Sequence, residues 1–265
     1  MPAHEELERS TAALSAALDA FVTVPDASRL AVARESWRSA ARAWSGVELY
    51  ALRETMVLHG QIGKWPVNVP QIEAIIGKTG GPLPNVAQVA ASGSPLKGLF
   101  AIEYLLYDPS VDDAALSARY TSDALAARRA AYLSALGGDV HASSTTLRVL
   151  WSDGANNLGA RFAEAALDGG ELNGSISMLT NEAIGLLETM ANEKLGAPRG
   201  LRSYGAPAPE SAQAWRSASS AELLTANLES IAAVFGSGTS AAPTGIAAYP
   251  YLPRRAGACG SAAAA

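Results

Sequence analysis

The sequence predicts an all-α protein, and three observations carry that prediction. Apolar residues recur at steps of three and four over several long stretches, the repeat of a helix face. No stretch shows the sustained period-two alternation of β-branched residues that a half-buried strand requires. Alanine, the best helix former, supplies much of a hydrophobic fraction of 49%. With 265 residues the chain can bury one large core or two of ordinary size. The expected arrangement is two packed helical bundles, residues 1–110 and 111–236, followed by a tail over 237–265.

The clearest helix follows Val24-Pro25-Asp26-Ala27-Ser28, where Asp26 or Ser28 can accept the orphan backbone N–H groups of a first turn. Leu30, Ala33, Trp37, Ala40, Trp44, Val47 and Ala51 then share one face, giving a helix of about eight turns that Gly60 and Gly63 close. Its two tryptophans lie two turns apart on the inward side. From Trp65 to Pro84 the chain is irregular and proline-rich, with a short helix over Gln71–Ile76. The next helix runs from about Pro95 to Tyr107 and is stopped by Asp108-Pro109-Ser110. Four more are expected. One opens at Asp112 or Asp113 and ends at Gly137-Gly138. Others span about Ser143–Leu167, Gly174–Leu195 and Ser220–Phe235. Beyond Gly236 the chain is rich in Ala, Gly, Ser and Pro, has no periodic face, and reads as a mobile tail.

Composition narrows function. The net charge is −5 and no Lys/Arg cluster interleaves with aromatics, which argues against a nucleic-acid groove. No apolar run approaches the length of a membrane span. The single cysteine, Cys259, excludes an internal disulfide and a cysteine-built metal site. None of His4, His59 and His141 falls in a His-Glu-x-x-His or Glu-x-x-His pattern, and neither a phosphate loop nor a Gly-x-Ser-x-Gly elbow is present.

Glu103 is the residue that asks for an explanation. At about 100° per residue it lies within roughly 60° of Leu96, Leu99, Phe100, Leu106 and Tyr107, in the middle of its helix's apolar stripe. A buried carboxylate needs a cation, a metal or a set of hydrogen-bond donors. Three other polar residues have plainer readings. Glu48, one position off the tryptophan stripe, reads as a boundary carboxylate, and Lys194 near a helix C-terminus is explained by the helix dipole. Arg216, taken alone, reads as an ordinary loop arginine.

The segment Lys97-Gly-Leu-Phe-Ala-Ile-Glu-Tyr-Leu-Leu-Tyr107 resembles the signature helix of the imelysin family, whose hallmark is Gly-x-His-x-x-Glu before an apolar run. Trp37, Trp44 and Glu48 are similar to that family's early helix, and Ile62-Gly-Lys-Trp-Pro66 to its Trp-Pro loop. Lys194-Leu-Gly-Ala-Pro-Arg-Gly200 resembles its Lys-Leu-Gly-x-Pro-x-Gly turn. Trp215-Arg-Ser-Ala-Ser219 followed by Ala226-Asn-Leu-Glu229 resembles its Arg-Ser-x-x-Ser loop and the helix after it. The matches run in order from about Ser28 to Phe235.

The resemblance implies an extracytoplasmic bacterial protein of two helical bundles, linked to uptake of iron or another metal, with a polar site between the bundles. It places Glu103, Arg216, Ser217, Gly98 and Glu48 at that site, with Glu103 as the candidate ligand to iron or another divalent metal. The partner expected is a small ligand or a metal ion. Two departures bear on activity. Phe100 stands at the signature histidine position, and phenylalanine neither ligates a metal nor carries a proton. The further helices of the family's chain also have no counterpart in the pattern after Phe235. A non-catalytic binding protein is therefore the leading reading, ahead of a metal-dependent peptidase and of a helical scaffold without a ligand.

Overall fold

The computed structural model describes residues 2–52, 54–152, 157–168 and 174–236. The segment 237–265, expected to be a tail, lies outside the described residues, as do Asp153 and Asn156. All regular structure among the described residues is helical: α1 (Pro2–Thr23), α2 (Ala27–Val47), α3 (Met56–Gly63), α4 (Val69–Ile76), α5 (Val86–Ala90), α6 (Leu99–Leu106), α7 (Asp113–Ala118), α8 (Ala126–Ser152), α9 (Leu158–Asp168), α10 (Ser175–Thr189) and α11 (Ser220–Phe235). Short 3₁₀ turns follow α2 at Glu48–Tyr50 and precede α6 at Ser94–Leu96, and a π-helical stretch, Met190–Gly196, extends α10.

The antiparallel trio α1, α2 and α8 forms the body of the molecule. α2 begins as expected, with the Asp26 side chain accepting from the Arg29 N–H at 2.7 Å. Trp37 and Trp44 are both buried. It ends earlier than expected, at Val47, and the chain breaks before α3. Thr55 stabilises that break by donating its hydroxyl to the carbonyl of Leu52, 2.9 Å away.

Two elements depart further from the sequence expectation. α1 was not anticipated, yet Leu7, Leu14, Leu18 and Phe21 form its fully buried face. Gly137-Gly138 does not stop a helix either; α8 runs straight through it. The glycines serve a close approach. A Cβ on Gly137 would stand 3.2 Å from the Cα of Ser15 on α1, and one on Gly138 would stand 2.8 Å from a Val86 methyl. Absent side chains let the helices come together there.

One apolar core joins α1, α2, α6 and α8 and extends to Leu158 and Leu223. A smaller cluster, built on Leu49, Leu179, Ala183, Leu186 and Met190, packs α10 against the end of α2. α6 crosses the middle of the larger core and is buried on nearly every side. Any polar group on it is therefore held by protein.

Candidate functional site

The start of α6 is set by Gly98. Its φ is +80°, and a Cβ there would lie 2.4 Å from the Ile62 carbonyl oxygen and 2.5 Å from that of Gln61. The first turn of α6 therefore presses on the last turn of α3. The indole N–H of Trp37 donates to the Leu99 carbonyl at 2.7 Å and fixes the same turn from the α2 side. We expect Gly98→Ala to destabilise the fold by about 2 kcal/mol or more, since it adds both a disfavoured φ and a backbone clash. Urea denaturation measures this; a loss below roughly 0.5 kcal/mol would show that the α3–α6 contact relaxes freely.

One turn on, Glu103 is 4% exposed. The company that its position demands comes from a loop more than a hundred residues later in the chain. Its Oε1 accepts the Ser217 backbone N–H at 2.9 Å and the Ser217 hydroxyl at 2.8 Å. Burial raises the Glu103 carboxyl above the ordinary carboxylate range, and the Ser217 donors and the charge of Arg216 only partly offset it. Glu103 thus acts as a clasp that closes the Trp215–Ser219 loop onto α6.

That loop is held in an uncommon conformation. Ala214 and Ala218, which bracket Trp215-Arg216-Ser217, have φ of 58° and 57°. Each costs about 1 kcal/mol in a residue with a Cβ, and such positions cluster at functional sites. Arg216 is stacked rather than ion-paired: its guanidinium carbon lies 4.9 Å from the Tyr104 ring centre and 4.5 Å from that of Trp215. Phe100, at the position where the resemblance calls for histidine, is buried with its ring 6.4 Å from Trp37, edge to face.

The structure thus brings together Glu103, Ser217, Arg216 and, at the base of the helix, Gly98. Glu48 is engaged elsewhere. Its two oxygens lie 3.1 and 2.8 Å from Lys194 Nζ, which also donates to Asn227 Oδ1 at 2.8 Å. Lys194 is 3% exposed, so the helix dipole expected to explain it is joined by a buried ion pair. The wide turn of the π-helical stretch carries it.

A cavity of about 400 Å³ opens beside Ser217, between α2, the segment after α6 and the Arg-Ser loop. Its walls include Arg34, Arg38, Tyr107 and Asp108, none of which the sequence marks as a site residue. The signal was available: Arg34 and Arg38 stand four apart on α2, off its tryptophan stripe. Among the described residues, no three His, Cys, Asp or Glu side chains gather in the way a bare metal ion requires.

Comparison with known proteins agrees with this architecture. The imelysin family model matches residues 1–247. The chain belongs to the imelysin family. Two solved structures share the fold at low identity. A putative iron-regulated protein A precursor from Parabacteroides distasonis superposes with a TM-score of 0.68 at 19% identity, over 89% of this chain and 70% of that one. An imelysin-like protein from Psychrobacter arcticum gives 0.66 at 18%, over 87% and 68%. Among curated proteins no match to the sequence is found. The span matched by the family model includes both α6 and the Trp215–Ser219 loop that donates to Glu103.

Proposed function

We propose that this imelysin-family chain is a non-catalytic, extracytoplasmic binding protein serving iron or another metal's uptake, with its ligand held where the Arg-Ser loop crosses the signature helix. The observation that supports this reading is the bonding of Glu103. Its Oε1 already accepts two hydrogen bonds from Ser217, so the carboxylate orders a binding loop rather than waiting as a free base. Phe100 offers no imidazole one turn away, which weighs against a His/Glu peptidase pair. The cavity beside Ser217 supplies the room a ligand needs. The relative named as iron-regulated protein A adds support for the metal connection.

The test is a calorimetric and thermal-shift titration with ferric and divalent ions, offered bare and as small-molecule chelates. Wild type is expected to bind at least one of them, and Glu103→Gln to bind it about tenfold more weakly through a loosened loop. Absence of binding in every arm, or equal binding by Glu103→Gln, overturns the reading. Chelator-sensitive cleavage of a peptide by the pure protein would favour the peptidase alternative instead.

A further inference from the structure

We infer that the cavity beside the Arg-Ser loop recognises a small oxyanion, a compound carrying carboxylate or phosphate groups, through Arg38 and Arg34. This rests on the reading of that cavity as the ligand site and gives the ligand its chemical class.

The argument begins with a stripe on α2. Arg34, Arg38 and Arg42 follow one another at four-residue spacing, so three positive charges stack along one helix face, an arrangement that is unfavourable unless anions compensate it. The two outer arginines have such partners from elsewhere in the fold. Arg34 Nη1 meets the Asp113 carboxylate at 2.6 Å, and Arg42 Nη2 meets that of Glu229 at 2.7 Å. Arg38, between them, has none of that quality. Its nearest carboxylate is Glu35 of its own helix, at 3.7 Å, beyond hydrogen-bond reach.

Arg38 is also the arginine that borders the cavity with donors to spare. Arg34 joins it from the same wall. It spends Nε on the Leu106 carbonyl at 2.9 Å and Nη1 on Asp113, which orients the guanidinium and leaves its other terminal nitrogen without a partner among the described residues. Both guanidinium groups lie against Tyr107, at 5.0 and 5.8 Å from its ring centre, so the phenol holds the two forks in one place. Two planar forks lining one cavity suit a carboxylate or phosphate better than a cation.

The acidic residues of the same cavity do not cancel this field. Asp113 is occupied by Arg34. Asp108 accepts from the Ser110 N–H at 3.0 Å, from the Ser110 hydroxyl at 2.6 Å and from Arg119 at 2.7 Å. What lacks a close carboxylate is the charge of Arg38, together with that of Arg216 on its two rings, at a space of about 400 Å³ that the loop clasped by Glu103 also lines. A metal carried here would arrive wrapped in an anionic chelator, which agrees with the missing cluster of metal-ligating side chains among the described residues.

The experiment titrates the metal-free protein with citrate and, separately, with inorganic phosphate at moderate salt. Binding of either is expected, and the stronger of the two identifies the source of the oxyanion. Arg38→Gln is expected to weaken it at least tenfold while leaving the melting temperature of the free protein unchanged. Arg42→Gln, on the same stripe but turned to Glu229, is expected to leave binding intact. If neither oxyanion binds at millimolar concentration, or if Arg38→Gln binds as wild type does, the inference fails. A bare metal ion that still binds through Glu103 would then leave the proposed function standing. Oxyanion binding that depends on Arg38 but is indifferent to Glu103→Gln would have the opposite meaning.

Discussion

Acidification from pH 7 to 4 is expected to unfold this protein, and His4 and His59 are the reason. Both imidazoles are buried, at 3% and 5% exposure. His4 stacks on Trp151 with ring centres 4.9 Å apart, and His59 lies 5.0 Å from Trp44. Among the described residues, no ring nitrogen of these four side chains has a hydrogen-bond partner. Burial lowers His4 from 6.5 to about 3 and His59 from 6.5 to about 4.

The sign follows from proton counting. Below pH 6.5 the unfolded chain takes up protons that the folded one refuses, so stability falls as pH falls. Each histidine contributes about 3 kcal/mol of loss by pH 4, and the two together approach the total stability of an ordinary domain. Glu103 and Asp139 oppose this trend. Their carboxyls are raised by burial, so they bind protons more readily in the folded state and favour it on acidification.

The histidine contribution is isolated by comparing wild type with His59→Phe in urea at a series of pH values. The variant should lose roughly half of the steep decline between pH 6.5 and 4 and be the more stable protein at pH 5. Parallel curves for the two proteins would show that His59 is not the acid-sensitive group.

Breaking the ion pair of Lys194 should be nearly as damaging. This lysine, on the π-helical stretch after α10, bonds Glu48 at the end of α2 and Asn227 on α11. Asn227 completes the network by donating its amide to the Ser45 carbonyl at 2.8 Å and to Glu48 Oε2 at 2.7 Å. Three segments distant in sequence are tied at one point. Lys194→Met keeps the aliphatic stem but strands the Glu48 carboxylate, whose side chain is only 17% exposed.

Removing one member of a buried pair typically costs about 3 to 5 kcal/mol, chiefly because the other charge is left unmatched. We expect a loss near the lower figure, since water reaches one side of Glu48. The double variant Lys194→Met/Glu48→Leu should recover most of it, because no stranded charge remains. Thermal or urea denaturation of the single and double variants gives the answer. A double variant as unstable as the single would mean that packing, and not the ion pair, is what Lys194 provides.

Several features of the site were legible without coordinates. The spacing of Leu99, Phe100, Leu106 and Tyr107 around Glu103 required an inward carboxylate, and it is inward. Ser217 and Arg216 could be placed near it only through the family resemblance, because no local rule links positions 114 residues apart. Arg38 could be placed on the polar side of α2 by its spacing from Arg34, but not at a cavity. It differs from Arg34 and Arg42 only in lacking a strong partner across the fold, and that lack is a property of neighbouring helices.

Local chemistry therefore settled the helical class, a cap at Asp26 and a stop after Tyr107, but not every boundary, since α2 ends at Val47 although the apolar repeat continues to Ala51. Tertiary packing decided what each segment meets. Gly137 and Gly138 look like a helix terminus in one dimension and prove to be the flat face on which α1 and Val86 rest. Glycine is tolerated there because the approach of a second backbone leaves no room for a Cβ, and only the assembled bundle specifies where that approach occurs.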